Sequence, residues 1–198
     1  EDLAHLILDS DVPENLKEPL CWRKIPNISK GRNVIHLNAM YHLQSGIFED
    51  VVFQPICECN EHKALAQMVD RRYSAFPAIF MADRGYESYN TFAHIEQKGD
   101  KYVVRGRESG TGICSGLNLP DTEEYDIEKE LYICKKHSKK VKTNPRKYKR
   151  IRSDATFDFF TDDCEEYRLN LRIVKIKRSE TTTEVLFTNL SKEEFSAD

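Results

Sequence analysis

Several things are missing from this sequence, and each absence narrows what the protein can be. No apolar run approaches the ~18 residues of a membrane-spanning helix, so no membrane partner is expected. No basic-then-apolar leader stands at Glu1 and Asp2, so no secretory signal is visible. There is no Cys-x-x-Cys. Cys57-x-Cys59 with His62 comes nearest to a metal cluster, but a structural zinc site needs a fourth ligand at suitable spacing, and none stands there. The six cysteines are expected instead as reduced thiols in a cytoplasmic protein. A Gly-x-Ser-x-Gly nucleophile elbow and a phosphate-cradling Gly-x-x-x-x-Gly-Lys are both absent, as is any internal repeat.

Hydrophobic residues are sparse at 39%, and charged residues abundant at 32%. Ten Phe and nine Tyr still supply a core, which argues against wholesale disorder. A chain of 198 residues suits one domain, or one domain carrying a large insertion.

The net charge of −3 conceals an asymmetry. Residues 135–152 hold 10 Lys or Arg and no acid, which leaves 20 basic against 33 acidic side chains elsewhere, a net of −13. Six acids crowd residues 121–130 and six more residues 154–166, on either side of the basic run.

Hydrophobic periodicity outlines an α/β alternation up to residue 107. Strands are expected at Leu6–Leu8, Val34–Leu43 and Ile47–Phe53, the last two as an antiparallel pair, with an irregular stretch over 11–33. Asn60 caps an amphipathic helix over 61–72, with Ala64, Leu65, Met68 and Val69 inward. Ala78–Ala82 is a compact strand ending at Asp83. Ser88 caps a second helix that turns Tyr89, Phe92, Ala93 and Ile95 inward and stops before Gly99, ahead of a strand at Tyr102–Val104. Two more strands are expected near Leu169–Lys177 and Glu184–Thr188, and Ser191 with Glu194 has the form of a capping box opening a last helix.

Asp83 closes an apolar strand, and strand ends facing a crevice are where α/β folds bind ligands. Asp9 closes Leu6-Ile7-Leu8 in the same way. Carboxylates on two such strand ends can hold Mg²⁺; each can equally well form a turn. The basic run suits contact with nucleic-acid phosphates through Lys139, Lys140, Lys142, Arg146, Lys147, Lys149 and Arg150. It also suits a solvated face balanced by the neighbouring acids, with Tyr148 stacking or packing among the cations. His36, His42, His62 and His94 are expected as packing or hydrogen-bonding residues.

Three blocks stand in order: His36-Leu37-Asn38-Ala39-Met40-Tyr41, then Asn60-Glu61-His62, then Ala82-Asp83-Arg84-Gly85-Tyr86-Glu87-Ser88-Tyr89-Asn90. Leu171-Arg172-Ile173-Val174 and Thr188-Asn189-Leu190 follow. Together they resemble DDE-type transposases of bacterial insertion sequences. The resemblance spans nearly the whole chain and is weakest over 11–33 and 110–165.

The resemblance implies an α/β fold: a ribonuclease H-like core, a mixed sheet with flanking helices, carrying a mostly β insertion. The core would open with 1–107, the insertion occupy 108–168, and 169–198 return toward the core. It further implies two Asp and one Glu binding Mg²⁺ or Mn²⁺. Asp83 matches the second Asp. The first lies in an Asp-Gly-Ser-Asp context; here Leu8-Asp9-Ser10-Asp11 lacks the Gly, with Asp9 the first choice and Asp11 the reserve. The Glu belongs to a Tyr, Arg, Glu, Lys signature on a helix expected beyond Asp198, so no residue here takes that role, and the chain as it stands is expected to be a catalytically incomplete fragment. Arg84 and Arg105 join the basic run as expected phosphate contacts. The implied activity is DNA transposition in the bacterial cytoplasm, on the nucleoid when bound, with transposon ends and target DNA as partners and a homodimer on paired ends. Alternatives are a DNA-binding remnant that does not cut, a metal-dependent nuclease on the same core, and a β-rich interaction domain using charge complementarity.

Overall fold

The computed structural model describes residues 5–8, 22–23, 32–55, 58–73, 75–108, 112–152 and 155–196. The chain forms two compact units, Glu1–Arg71 and Arg72–Asp198.

In the first unit, β3 (Arg32–His42) is the central strand. It pairs antiparallel with β1 (His5–Leu8), with β2 (Trp22–Arg23) and with β4 (Ile47–Pro55). The β3–β4 hairpin is the expected pair, with a register shift between Met40 and Tyr41. β2 corrects the reading of 11–33 as wholly irregular: Trp22 lies opposite Asn33, a two-residue pairing too short to leave a periodic signal. Helix α1 (Glu61–Arg71) buries Ala64, Leu65, Met68 and Val69. The Asn60 side chain accepts the Lys63 amide at 2.9 Å, the cap expected from sequence. Both ends of α1 are tied to β4: Gln54 exchanges hydrogen bonds with the Asn60 backbone at 3.0 and 3.1 Å. Arg71 donates to both Asp50 oxygens at 3.0 and 2.9 Å.

The second unit is built on a six-stranded sheet. Its strands are β5 (Ile79–Ala82), β6 (Lys101–Gly106), β7 (Tyr125–Cys134), β8 (Tyr148–Arg150), β9 (Glu166–Lys177) and β10 (Thr183–Thr188), in the spatial order β5-β6-β10-β9-β7-β8. β5 and β6 are parallel, joined by helix α2 (Tyr89–Gln97). The Ser88 hydroxyl accepts the Asn90 amide at 3.2 Å to start α2. Gly99 at φ +75° lets the chain turn out of it in a left-handed conformation that residues with a side chain rarely adopt. Phe92 of α2 stacks on Tyr102 of β6 with ring centroids 4.5 Å apart and meets Phe187 of β10 at 5.9 Å. All three are fully buried, each worth about 1.5–3 kcal/mol of apolar transfer.

Between β6 and β9, where a mostly β insertion was expected, strands form, and the structure resolves the acidic and basic stretches into elements that composition alone did not place. The first acidic stretch runs into β7, which holds Asp126, Glu128 and Glu130 and pairs with β9 over ten residues from Tyr125↔Lys175 to Cys134↔Glu166. Its acids are the polar side of a strand. Asp126 pairs with Arg172, and Glu130 with Arg168, as diagonal cross-strand ion pairs. The basic run, expected as strand and loop, includes a short helix, α3 (Lys139–Thr143), started by Ser138 accepting the Val141 amide, before it enters β8. Ser191 to Phe195 forms a single turn where a helix was expected. One capping-box contact is present, the Glu194 amide to Ser191 Oγ at 3.3 Å; the Glu194 carboxylate accepts from the Ser191 hydroxyl at 3.0 Å, and one Phe195 amide to Ser191 carbonyl bond of 3.1 Å closes the turn. No helix among the described residues is long and apolar enough to cross a membrane.

Candidate active site and basic face

β5 is four residues long, and Asp83 follows it directly, capping a 3₁₀ turn over Arg84–Tyr86. The Tyr86 amide returns to the Asp83 carbonyl at 2.9 Å, while the Asp83 side chain makes no capping bond. The turn thus uses the backbone of Asp83 and leaves its carboxylate presented outward. Register explains the partner: Ala82 lies beside Val104, so the next residues along, Asp83 and Arg105, are neighbours on parallel strands. Arg105 Nη1 donates to Asp83 Oδ1 at 2.9 Å. Arg105 Nε faces Glu184 Oε1 of β10 at 2.5 Å, and Arg178 Nε stands 3.8 Å from the other Glu184 oxygen.

Side-chain exposure is 58% for Asp83, 44% for Arg105 and 19% for Glu184, so the Asp83–Arg105 pair is open to water and worth only about 0–1 kcal/mol. Arg105, expected as a phosphate contact, is engaged by two carboxylates. Glu184 drew no attention in the sequence, because only strand pairing brings it to Arg105. Arg84 is exposed.

The sequence also passed over Glu87, five residues along from the end of β5. It is buried, and its carboxylate accepts the Arg107 amide at 2.7 Å and the Ile113 amide. A Cβ at Gly112 would come within 2.9 Å of Glu87 Oε1 and 2.8 Å of the Arg107 side chain, so only glycine fits there. Glu87 thereby ties the segments after β6 to the turn carrying Asp83. Burial, with Glu87 nearby, pushes the Cys114 thiol up to about 12 and keeps it protonated and inert. On the other side of α2, Asn90 exchanges two hydrogen bonds with Asp158 at 2.8 and 2.9 Å, and His94 Nε2 meets the same carboxylate at 2.9 Å. His94 is thus a buried hydrogen-bonding residue, as expected, packed edge-on against Phe159.

Asp9 and Asp11 lie outside the described residues, as does Cys57. Among the described residues no group of three or more His, Cys, Asp or Glu stands together as a metal cluster. The donor chemistry at Asp83 nonetheless fits Mg²⁺ or Mn²⁺. It is a hard oxygen donor, water-accessible, with Oδ1 on Arg105, and such ions bind through one or two carboxylates while keeping waters.

The basic run divides in two. Lys140 pairs with Glu166 at 2.9 Å and Lys147 with Glu130 at 2.9 Å, Lys136 pairs with Glu165, and Lys149 donates to the Gly116 carbonyl. Tyr148 stacks on Tyr132 with centroids 5.2 Å apart, and Lys140 and Lys147 lie over the two rings. That half is the internally balanced face. Lys139, Lys142, Arg146 and Arg150 are exposed and make no ion pair among the described residues.

Comparison with known families finds one match that covers almost the whole chain: the transposase DDE domain, over residues 6–198. No curated protein matches the chain. With the mixed six-stranded sheet, this match establishes the α/β, ribonuclease H-like fold class expected from the sequence.

Proposed function

This chain belongs to the transposase DDE domain family, and on that premise we propose that it is the catalytic-domain portion of a DNA transposase, breaking and rejoining phosphodiester bonds at transposon ends. The observation that carries the reading is the place of Asp83: an exposed carboxylate on the end of a core strand, held out of its own turn. It is one of the carboxylates that hold a divalent metal, with Asp9 as its expected companion. A divalent ion bound there supplies charge neutralisation at the scissile phosphate. The protein contributes position. β5 and the turn after it fix Asp83, and Glu87 anchors that turn from beneath.

In the proposed reaction, water adds to phosphorus at the transposon end and one P–O bond breaks, leaving a 3′-hydroxyl. That hydroxyl then attacks a phosphodiester of the target: a P–O bond forms to the transposon 3′-oxygen, the target's P–O3′ bond breaks and a target 3′-hydroxyl leaves with the proton, so no covalent protein intermediate is needed. Arg84 and the exposed cations Lys139, Lys142, Arg146 and Arg150 take DNA phosphates. The protein acts in the cytoplasm, on the nucleoid when bound, as a homodimer on paired ends.

The test uses the complete reading frame with a transposon-end duplex and Mg²⁺. Cleavage and strand transfer are expected, with Asp83→Asn losing roughly 10²-fold or more of both while still binding DNA. Hydrolysis without joining would make the protein a nuclease; retention of DNA without cutting would make it a binding remnant. Either result overturns the reading.

A further inference from the structure

Asp83 does not stand alone. Its Oδ1 is taken by Arg105, and the same guanidinium reaches Glu184 through Nε. An arginine cannot give up its proton, so relief at Asp83 comes only by moving the guanidinium. A divalent ion on the Asp83 carboxylate would face that fixed positive charge at close range. Glu184 offers the guanidinium a second, less exposed anchor, at 19% exposure against 58% for Asp83.

We propose that Arg105 is a displaceable counter-ion of Asp83, and that Glu184 is the positioning residue that retains Arg105 when a divalent cation takes its place. The arrangement keeps the strand-end carboxylate neutralised until metal arrives. It also leaves a cation beside the site afterwards, on Glu184. The exposed Asp83–Arg105 pair is weak enough to exchange. Glu184 stands between Arg105 and Arg178, so it stays compensated whichever partner Arg105 holds.

This inference rests on the reading of Asp83 as a metal-holding carboxylate, and the experiment separates the two. Mn²⁺ binding to the chain is followed by electron paramagnetic resonance of the free ion, without DNA. Arg105→Gln removes a like charge and is expected to tighten Mn²⁺ binding about fivefold. Arg105→Lys keeps the charge and is expected to give no such gain. Glu184→Gln leaves Arg105, among the described residues, with Asp83 alone as a carboxylate partner and is expected to weaken binding about threefold. The double variant R105Q/E184Q is expected to match R105Q within about a factor of two, because Glu184 acts through Arg105. No tightening in R105Q, or a full Glu184 effect persisting without Arg105, overturns the proposal. If Asp83→Asn binds Mn²⁺ as the parent does, the metal reading of Asp83 falls, and this inference with it. If D83N loses binding while R105Q matches the parent, this inference alone fails.

Discussion

Arg172 and Asp126, 46 residues apart in sequence, meet across β9 and β7 through two parallel hydrogen bonds of 2.9 Å each. The guanidinium is buried, and its Nη1 also donates to the carbonyls of Leu190, Ser191 and Phe195 at 3.3, 3.1 and 2.7 Å. One side chain thus joins the central strands of the sheet to the turn after β10. Arg172→Met leaves the Asp126 carboxylate with only Lys192, 3.5 Å away, and takes a donor from the Leu190 and Phe195 carbonyls, while Ser191 keeps the Phe195 amide. It is expected to cost about 2–4 kcal/mol in urea denaturation.

The same pair sets an acid limit. Arg172 holds the Asp126 carboxyl below its ordinary value of 3.8. The stability it contributes is present above that unfolded value and is lost as pH falls through the lower, folded one. Asp126→Asn is expected to be less stable at neutral pH and to lose less on acidification, as followed by thermal midpoints across an acid series.

Glu96 works in the opposite sense. Burial pushes its carboxyl from 4.5 up to about 7, against the pull of Lys101. Between those values the folded chain keeps a proton that the unfolded chain has released. This contribution is fully present below the unfolded value and is lost as pH rises through about 7. Glu96→Gln is expected to flatten the fall in stability between about pH 5 and about pH 8, with a gain on the order of 2 kcal/mol at the upper end.

Glu87→Ala removes the acceptor of two backbone amides, Arg107 and Ile113. An expected loss of about 1–3 kcal/mol follows from leaving those part-buried groups without their acceptor. Hydrogen exchange is expected to quicken first at those two amides, and Glu87→Gln, which keeps an oxygen for one of them, to lose less.

The two halves of the basic run should separate in a salt titration of DNA binding. Substituting Lys139, Lys142, Arg146 or Arg150 by Gln is expected to lower the slope of log K against log salt by about 1 each. Lys147→Gln, whose partner is Glu130, is expected to leave the slope near its parent value and to lower stability instead. Equal slopes for both sets would remove the distinction.

The short-range features were legible in the sequence. The caps at Asn60 and Ser88, the inward faces of α1 and α2, the β3–β4 hairpin and the strand ending at Asp83 rest on patterns a few residues long. β7 had a signal too, the alternation of Tyr125, Ile127, Leu131 and Ile133, obscured by the acids between them. Composition could count the charges of 121–166 but could not pair them. Whether an acid faces a base, a backbone amide or water depends on register between strands distant in sequence, and one residue of slip would turn each to the other face. The sequence by itself determined α1, α2 and most strands, and singled out Asp83 as the residue to watch. Only the tertiary structure decided that Arg105 is shared by Asp83 and Glu184, that Lys140 and Lys147 are internally paired, and that Arg172 holds the last turn, because those contacts exist only once the sheet sets which side chains lie across from one another.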